Sequence, residues 1–247
     1  MTRRRWIAER WDEATATLAG SQAEHMTRVL RAHPGMEADV VAGGHVFHAE
    51  VAAVTPGEVR FNLLAELETD PALPITLVMS IFKFDHMEWG IEKATELGVA
   101  AIIPAIARRT DKHLAFAAEK RVERWRRIAK EAAQQSRRSD VPVIYEPVQL
   151  SAHIRAVPRA VPGTVRIVMA EQERTTTLRA LLREVLEGSR NEMPALELAF
   201  GPEGGWAPDE EALFDASGWR AASLGPRILR AETAAIAALA VVASYLE

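Results

Sequence analysis

Phe200-Gly201-Pro202-Glu203-Gly204-Gly205-Trp206 and Leu224-Gly225-Pro226-Arg227-Ile228-Leu229-Arg230-Ala231-Glu232-Thr233 are the two stretches from which the fold can be read. Each follows a short apolar run of strand length, 196–200 and 221–224, and each leads into a helical pattern. Three glycines around a proline open backbone conformations closed to other residues and let a ligand approach the main chain of the first stretch. A tight strand-to-helix connection without a ligand is its other reading. In the second stretch Arg230 precedes a helix, with Glu232 and Thr233 in the first turn, where backbone N–H groups and the helix dipole favour an anion. Both stretches lie at strand ends, where open α/β sheets bind their ligands. The helix beyond, 234–243, is apolar on all sides, a pattern that predicts burial on every face, under other elements or in a subunit interface.

Outward from these stretches, Val168-Met169-Ala170-Glu171 ends another predicted strand, so three strand-end loops could converge on one pocket. Further strands are predicted at 75–81, 101–106, 141–145 and 165–170. Between them come helices at 86–97, 118–136 and 178–187, a short one from Pro208, and a last one at 232–246. Asp85 is placed to cap the first of these, with Glu88 three positions on and Gly98 at its stop. Val122, Trp125, Ile128, Ala129 and Ala132 share one face of the second. Such alternation implies an α/β domain with a mainly parallel sheet. Two prolines and turn formers at 68–74 suggest a boundary, giving domains 1–70 and 71–247. Before it, strands at 46–51 and 59–64, Gly43-Gly44 and Pro56-Gly57 turns and one helix at 23–30 describe a small β-rich domain.

Composition narrows the chemistry. The chain has 247 residues, 48% apolar and 26% charged, with a net charge of −4. Nucleic-acid binding would therefore come from a local patch rather than from the field of the whole molecule. With no cysteine, disulfides, Cys-ligated zinc, iron–sulfur clusters and thiol catalysis are excluded. The longest purely apolar run, ten residues at 234–243, is too short to cross a bilayer. Arg3-Arg4-Arg5 is followed by Trp6 and charged residues instead of a signal-peptide core, so a cytoplasmic protein with no membrane partner is expected. Walker, Rossmann and HExxH motifs are absent. His45 and His48 fall on opposite sides of a predicted strand and read as structural rather than as a metal pair, and no metal site is expected. His25 reads as a surface or capping residue, with phosphate contact as its other use. Residues 108–138 carry eleven basic and four acidic side chains, a net of +7. That is either a solvated face paired to acids elsewhere or a phosphate-binding surface.

At the two loops the likeness to a known family becomes specific. GPEGGW followed by LGPRILRAET resembles the C-terminal signature of the RsmE family, small-subunit (16S) ribosomal RNA uridine-N3 methyltransferases of the SPOUT superfamily. The resemblance extends to His25-Met26-Thr27-Arg28-Val29-Leu30-Arg31 with Pro34-Gly35, to Met87-Glu88-Trp89 through Lys93-Ala94-Thr95-Glu96-Leu97-Gly98-Val99, and to Glu131-Ala132-Ala133-Gln134-Gln135-Ser136 with Val141-Pro142. The chain departs from the family pattern at Gln134, usually acidic, at Arg137, usually glycine, and at Phe84-Asp85-His86, often Gly-Asp-Lys, positions on the presumed RNA side.

The resemblance implies a PUA-like β-barrel that binds RNA, then a trefoil-knotted SPOUT domain with helices on both faces of a mainly parallel sheet. Such a knot is not something general folding rules would suggest. It further implies a homodimer, and S-adenosylmethionine held by Met169, Ala170 and Glu171, by Phe200, Gly201, Pro202, Glu203, Gly204 and Gly205, and by Ser223, Leu224, Gly225, Arg227, Ile228, Leu229 and Arg230. Methyl transfer to uridine N3 needs an in-line nucleophile, loss of the N3 proton and stabilisation of the resulting anion. Arg230 is the candidate for the last role, with Glu232 orienting it or accepting the proton; an Arg–Glu pair that only pins the chain is the alternative. Arg28, Arg31, Lys83, Arg109, Arg137 and Arg138 are the candidate contacts to phosphates of the small-subunit RNA or the assembled subunit. Two other readings stand beside this one: methylation of ribose 2′-O or another base position, and a non-catalytic RNA-binding assembly protein.

Overall fold

The computed structural model describes residues 5–156, 163–188 and 194–245. Arg3, Arg4 and the end of the last predicted helix at Leu246 lie outside the described residues. The chain divides into two compact units, Met1–Pro71 with Lys130–Val141, and Ala72–Ala129 with Pro142–Glu247.

The first unit contains β1 (Arg5–Ile7), β2 (Arg10–Trp11), β3 (Thr15–Ala19), α1 (Gly20–Arg28), β4 (Glu37–Ala42), β5 (His45–Thr55) and β6 (Glu58–Leu67). They form a six-stranded sheet in the order β1-β4-β5-β6-β3-β2, antiparallel except where β1 runs parallel to β4. β1 and β2, at opposite ends of that order, are separated only by Ala8 and Glu9, whose amides donate to Val41 at 2.9 Å and Thr17 at 3.1 Å. One continuous segment thus pairs with both ends, and the sheet must curl round to allow it. Alternate residues point inward, so Leu18, Val40, Val51, Val59 and Phe61 make a core closed by Ala23 and Met26 of α1. Residues 130–141 belong with this unit, a grouping that a single cut near residue 70 does not capture. Lys130 pairs with Glu9 at 2.8 Å, the buried Gln134 bonds Gln22, and Arg137 lies 3.6 Å from Asp39.

In the second unit β7 (Leu73–Ser80), α2 (Phe84–Glu96), β8 (Val99–Ile106), α3 (Lys112–Ala117) and α4 (Val122–Gln135, whose last turns belong to the first unit) are followed by β9 (Val143–Ile144) and β10 (Val148–Gln149). Then come α5 (Leu150–Ala156), β11 (Thr164–Met169), α6 (Leu178–Gly188), β12 (Ala195–Phe200), α7 (Pro208–Ala216), β13 (Arg220–Ala222) and α8 (Ala231–Ala243). The sheet is wholly parallel in the order β10-β8-β7-β12-β11-β13, with β9 also on β8. Both faces are covered, which is why its strands are almost continuously apolar. Val78, Ala105, Val168 and Ala199 pack with Leu150 and Ile154 of α5 and Phe214 of α7. α8 packs against α2, α6 and strands β7 and β12.

Four local expectations need correction. Asp85 is not the cap of α2, because the helix begins at Phe84 with Lys83 in the N-cap position and no side-chain cap. The helix drawn over 118–136 is α3, a 3-10 turn at Glu119–Arg121 and α4, with Asp111 capping α3 through bonds to the amides of His113 and Leu114. The strand at 141–145 shrinks to two residues, Val143–Ile144. For α8 the correction is partial: other elements of the chain bury Ala235, Ala238, Leu239 and Val242 but leave Thr233 and Ala240 exposed, so of the two covers expected, burial under other elements holds for one face only. An all-apolar helix hides its own periodicity, so its free face could not be read from the pattern. Among the described residues no helix is long and apolar enough to cross a membrane.

Candidate active site

β13 is the sheet's edge, yet the next helix, α8, packs against the central strands β7 and β12. Residues 223–230 therefore travel from the edge back toward the middle of the sheet, past the loops that leave β11 and β12. Three loops, 169–171, 200–205 and 223–230, thereby enclose a cavity of about 520 Å³, within the range of small-ligand sites. Every residue to which the sequence assigned a cofactor contact lines it, as do Glu232, Lys83 and Arg109.

Several contacts fix the loops. The indole N–H of Trp206 donates to the Met169 carbonyl at 2.9 Å, tying the second loop to the first. Its ring is held by Phe214, whose centroid is 4.9 Å away, and Phe214 in turn by Trp219. Gly201 is favoured by closeness: a Cβ there would meet the Trp206 ring at 3.3 Å, tighter than ordinary packing. Gly225 is required by conformation, with φ at +112°. The buried carboxylate of Glu210 accepts from the amides of Ala207 at 2.9 Å and Arg108 at 2.7 Å, anchoring the end of the second loop to the residues after β8. The third loop is stitched down where Ser223 receives the Leu178 amide at 2.8 Å and donates its own to Thr176 at 2.9 Å. Beside it Glu173 accepts from the Thr175 hydroxyl and the amides of Thr175 and Thr176, which pull its carboxyl down to about 2.

The cavity presents open main chain together with both signs of charge. Glu171, Glu203 and Glu211 are on its walls, as are Lys83, Arg174, Arg227 and Arg230. Lys83 lies 3.9 Å from Glu203. Such a lining suits a zwitterionic small molecule whose polar edges are read by backbone groups. Arg230 is the exposed N-cap residue of α8. The expected Arg230–Glu232 pair is replaced by another: Glu232, 6% exposed, has its carboxylate oxygen 3.2 Å from Nδ1 of His86. His86, first-turn residue of the helix that follows β7, was read only as a departure from a pattern. Its position after a strand's carboxyl end was the available signal.

The candidate RNA contacts separate. Arg28 and Arg31 are exposed at the end of α1 and just beyond it, and Lys83 is exposed at the cavity. Arg109 donates to the Gly204 carbonyl at 2.8 Å and so braces the second loop. Arg137 is 3.6 Å from Asp39 with its side chain 44% exposed, whereas Arg138, only 9% exposed, bonds Asp140 and is not free for phosphate. Gln134, placed by sequence on a presumed RNA side, is instead buried at 1% exposure. Elsewhere in the basic segment Arg124 makes two bonds to Glu88, at 2.6 and 2.7 Å, and Arg126 pairs with Glu123 and Glu146. The excess charge is thus largely paired to acids elsewhere. His45 pairs with Glu66 and His48 lies near Glu37 and Asp39; among the described residues no cluster could hold a metal ion.

Comparison with known proteins gives concordant matches. Residues 69–243 match the model of the RNA methyltransferase domain. The ribosomal RNA small subunit methyltransferase E of Synechocystis is 35% identical over 237 residues, 95% of this chain and 75% of that protein. The protein of the same name from Bacillus subtilis is 30% identical, covering 94% of this chain and 91% of its own. Among solved structures, the ribosomal RNA small subunit methyltransferase E of Neisseria gonorrhoeae bound to S-adenosylmethionine superposes with a TM-score of 0.82, at 30% identity, covering 98% of this chain and 97% of that one.

Proposed function

Because the chain belongs to the RNA methyltransferase family, in its ribosomal small subunit methyltransferase E branch, we propose that it methylates N3 of a uridine in 16S ribosomal RNA. The observation that carries this is the convergence of three strand-end loops on one cavity of about 520 Å³. S-adenosylmethionine fits the lining: open main chain at 201–205 for an adenosine edge, carboxylates at Glu171 and Glu203 for its positive groups, and arginines at 174 and 227 for its carboxylate. When bound it supplies an electrophilic methyl group.

The protein's own contributions are positional and electrostatic. The loops hold the methyl donor, and Arg230 at the head of α8 stabilises the negative charge that builds on the uracil as its N3 proton leaves. N3 lies on the pairing edge, so the target base must be unpaired or extruded. Arg28, Arg31 and Lys83 contact phosphates; Arg138 is withdrawn from that role by its burial. We read the curled six-stranded sheet as a PUA-like barrel, the return of 223–230 across the sheet as part of a trefoil knot, and the free apolar face of α8 as a homodimer contact. The enzyme then works as a cytoplasmic homodimer on the small subunit or its RNA.

Calorimetry with S-adenosylmethionine, followed by transfer of labelled methyl to unmodified small subunits, tests this reading. Binding with a one-to-one stoichiometry per chain and label in 16S RNA is expected. Failure to bind the donor would overturn it. Arg230→Ala should lose turnover by far more than it loses donor affinity; undiminished turnover would remove Arg230 from the mechanism. Charge reversal at Arg28 and Arg31 should weaken RNA binding and flatten its salt dependence, and an unchanged slope would return them to solvent.

A further inference from the structure

One task remains: a group must accept the proton from uridine N3, and Glu232, the acceptor the sequence offered, has a side chain only 8% exposed whose Oε1 faces the His86 imidazole at 3.2 Å. Arg230 stays protonated in any protein and cannot take it. Lys83 faces the Glu203 carboxylate at 3.9 Å as its ion-pair partner. The cavity wall holds one imidazole, that of His86.

The surroundings of His86 are those of an oriented base. Its Nδ1 is 3.2 Å from Oε1 of Glu232, a carboxylate 8% exposed, whereas the imidazole itself is 31% exposed. Glu232 is fixed in turn, because it stands in the first turn of α8 where that helix meets α2. A Cβ placed on Gly90 would lie 3.8 Å from the Glu232 Cβ and 3.7 Å from Met79, ordinary packing distances. A carboxylate at one ring nitrogen selects the tautomer protonated there and leaves the other nitrogen as acceptor. The other nitrogen, Nε2, has the 78%-exposed Asp85 carboxylate at 3.8 Å, too far to occupy it. The charged groups around the imidazole are therefore Glu232 from α8 and Asp85 from its own turn, with Lys83, Glu203, Arg109 and Arg230 on the cavity walls.

We propose that His86 is the general base of the methyl transfer and that Glu232 is the positioning residue that holds its Nδ1–H. The proposal rests on the uridine-N3 reading. In the step, the N3–H bond breaks and its proton passes to Nε2. The N3 electron pair bonds the methyl carbon as the carbon–sulfur bond breaks and its pair returns to sulfur, so the positive charge leaves the sulfonium and appears on an imidazolium facing Glu232. The proton then passes to water.

The test uses the full-length protein, unmodified small subunits and labelled S-adenosylmethionine under single-turnover conditions across a range of pH. The wild-type rate should rise with pH and level off as the imidazole deprotonates. His86→Ala should lose about 10²–10⁴-fold in rate, the usual worth of general-base catalysis, and lose the plateau, while its affinity for the donor stays within about two-fold. Added imidazole should restore part of that rate, which distinguishes a lost base from a damaged fold. Glu232→Ala should lower the rate while donor affinity stays within about two-fold, and the nitrogen-15 signals of the His86 ring should show the tautomer protonated at Nδ1 losing its preference. A His86→Ala rate and profile equal to wild type overturn the proposal, whatever nucleoside is formed. A His86 tautomer balance that Glu232→Ala leaves unchanged overturns the pairing, whether or not RNA is methylated. Methyl on another atom of the RNA, by contrast, brings down the N3 reading itself.

Discussion

At the scale of single residues, Trp206 ties two of the cavity's loops together. Its indole N–H meets the Met169 carbonyl at 2.9 Å and its ring packs on Phe214. Trp206→Phe should keep most of the packing but leave that carbonyl without its donor, at about 1–2 kcal/mol of stability, readable in a urea titration, together with weaker binding of S-adenosylmethionine in calorimetry. Unchanged affinity would mean that the two loops hold their separation without the tether. Glu173 offers a pH test. Its carboxyl titrates at about 2, below the ordinary 4.5, because the Thr175 hydroxyl and two backbone amides bond the ionised form. The sign follows: the folded state gains from this group above its ordinary range and loses that gain as pH falls through about 2. Thr175→Val removes the largest cause, so a carbon-13 titration of the Glu173 carboxyl should move upward, and an unmoved midpoint would contradict the assignment. Much at this scale was legible. The glycines at 201, 204, 205 and 225 announced a loop whose backbone had to be unusual or open. His86 was not, because its place after a strand's carboxyl end marks the position but not the role, which appears only when the carboxylate it faces, 146 positions away in the chain, is folded against it.

At the scale of elements, β11 and β12 carry a buried charge cluster that alternation could not reveal. Arg166 and Glu197 are register partners in the parallel ladder, 3.1 Å apart through their side chains, and His153 of α5 completes the cluster at 2.7 Å from Glu197. Both sequence neighbourhoods read simply as strands, and a polar residue in each was easily mistaken for an outward-facing position. Arg166 is 4% exposed and Glu197 8%. Glu197→Ala should cost about 3 kcal/mol, because it takes the carboxylate from the buried Arg166 guanidinium, and Arg166 keeps a further interaction that holds the loss at the lower end of the usual range. A urea midpoint within error of wild type would show that the cluster is not buried as described. The basic stretch around α4 illustrates the opposite failure. Its charge excess was plain, but its carboxylate partners, Glu88, Glu146 and Glu9, come from distant segments and only the fold supplies them. Arg124 is itself half exposed and Arg121 stays 3.7 Å from Glu88, so Arg124→Ala should cost only about 1 kcal/mol.

At the scale of the whole molecule, the order of strands and helices in the second unit was readable from apolar periodicity and turn chemistry. The path of the chain was not. Nothing local in 223–230 says that the segment returns from an edge strand to the middle of the sheet, since that depends on which strands pair, a property of distant partners. The same holds for 130–141, whose membership in the first unit rests on contacts of Lys130, Gln134 and Arg137 with residues more than ninety positions earlier. The free face of α8 raises the question of assembly. Ile236→Asp, on a partly exposed position of that helix, should convert the proposed homodimer to monomer in sedimentation, and a dimer that survives it would place the interface elsewhere. The central claim is that three loops, a methyl donor and an extruded uracil meet in one cavity. The measurement that tests it most directly is mass-spectrometric identification of the nucleoside produced when unmodified small ribosomal subunits are incubated with the protein and isotopically labelled S-adenosylmethionine. N3-methyluridine in 16S RNA, carrying the labelled methyl, is the result the account predicts. A label confined to ribose 2′-O, or no labelled nucleoside with the donor demonstrably bound, would contradict it.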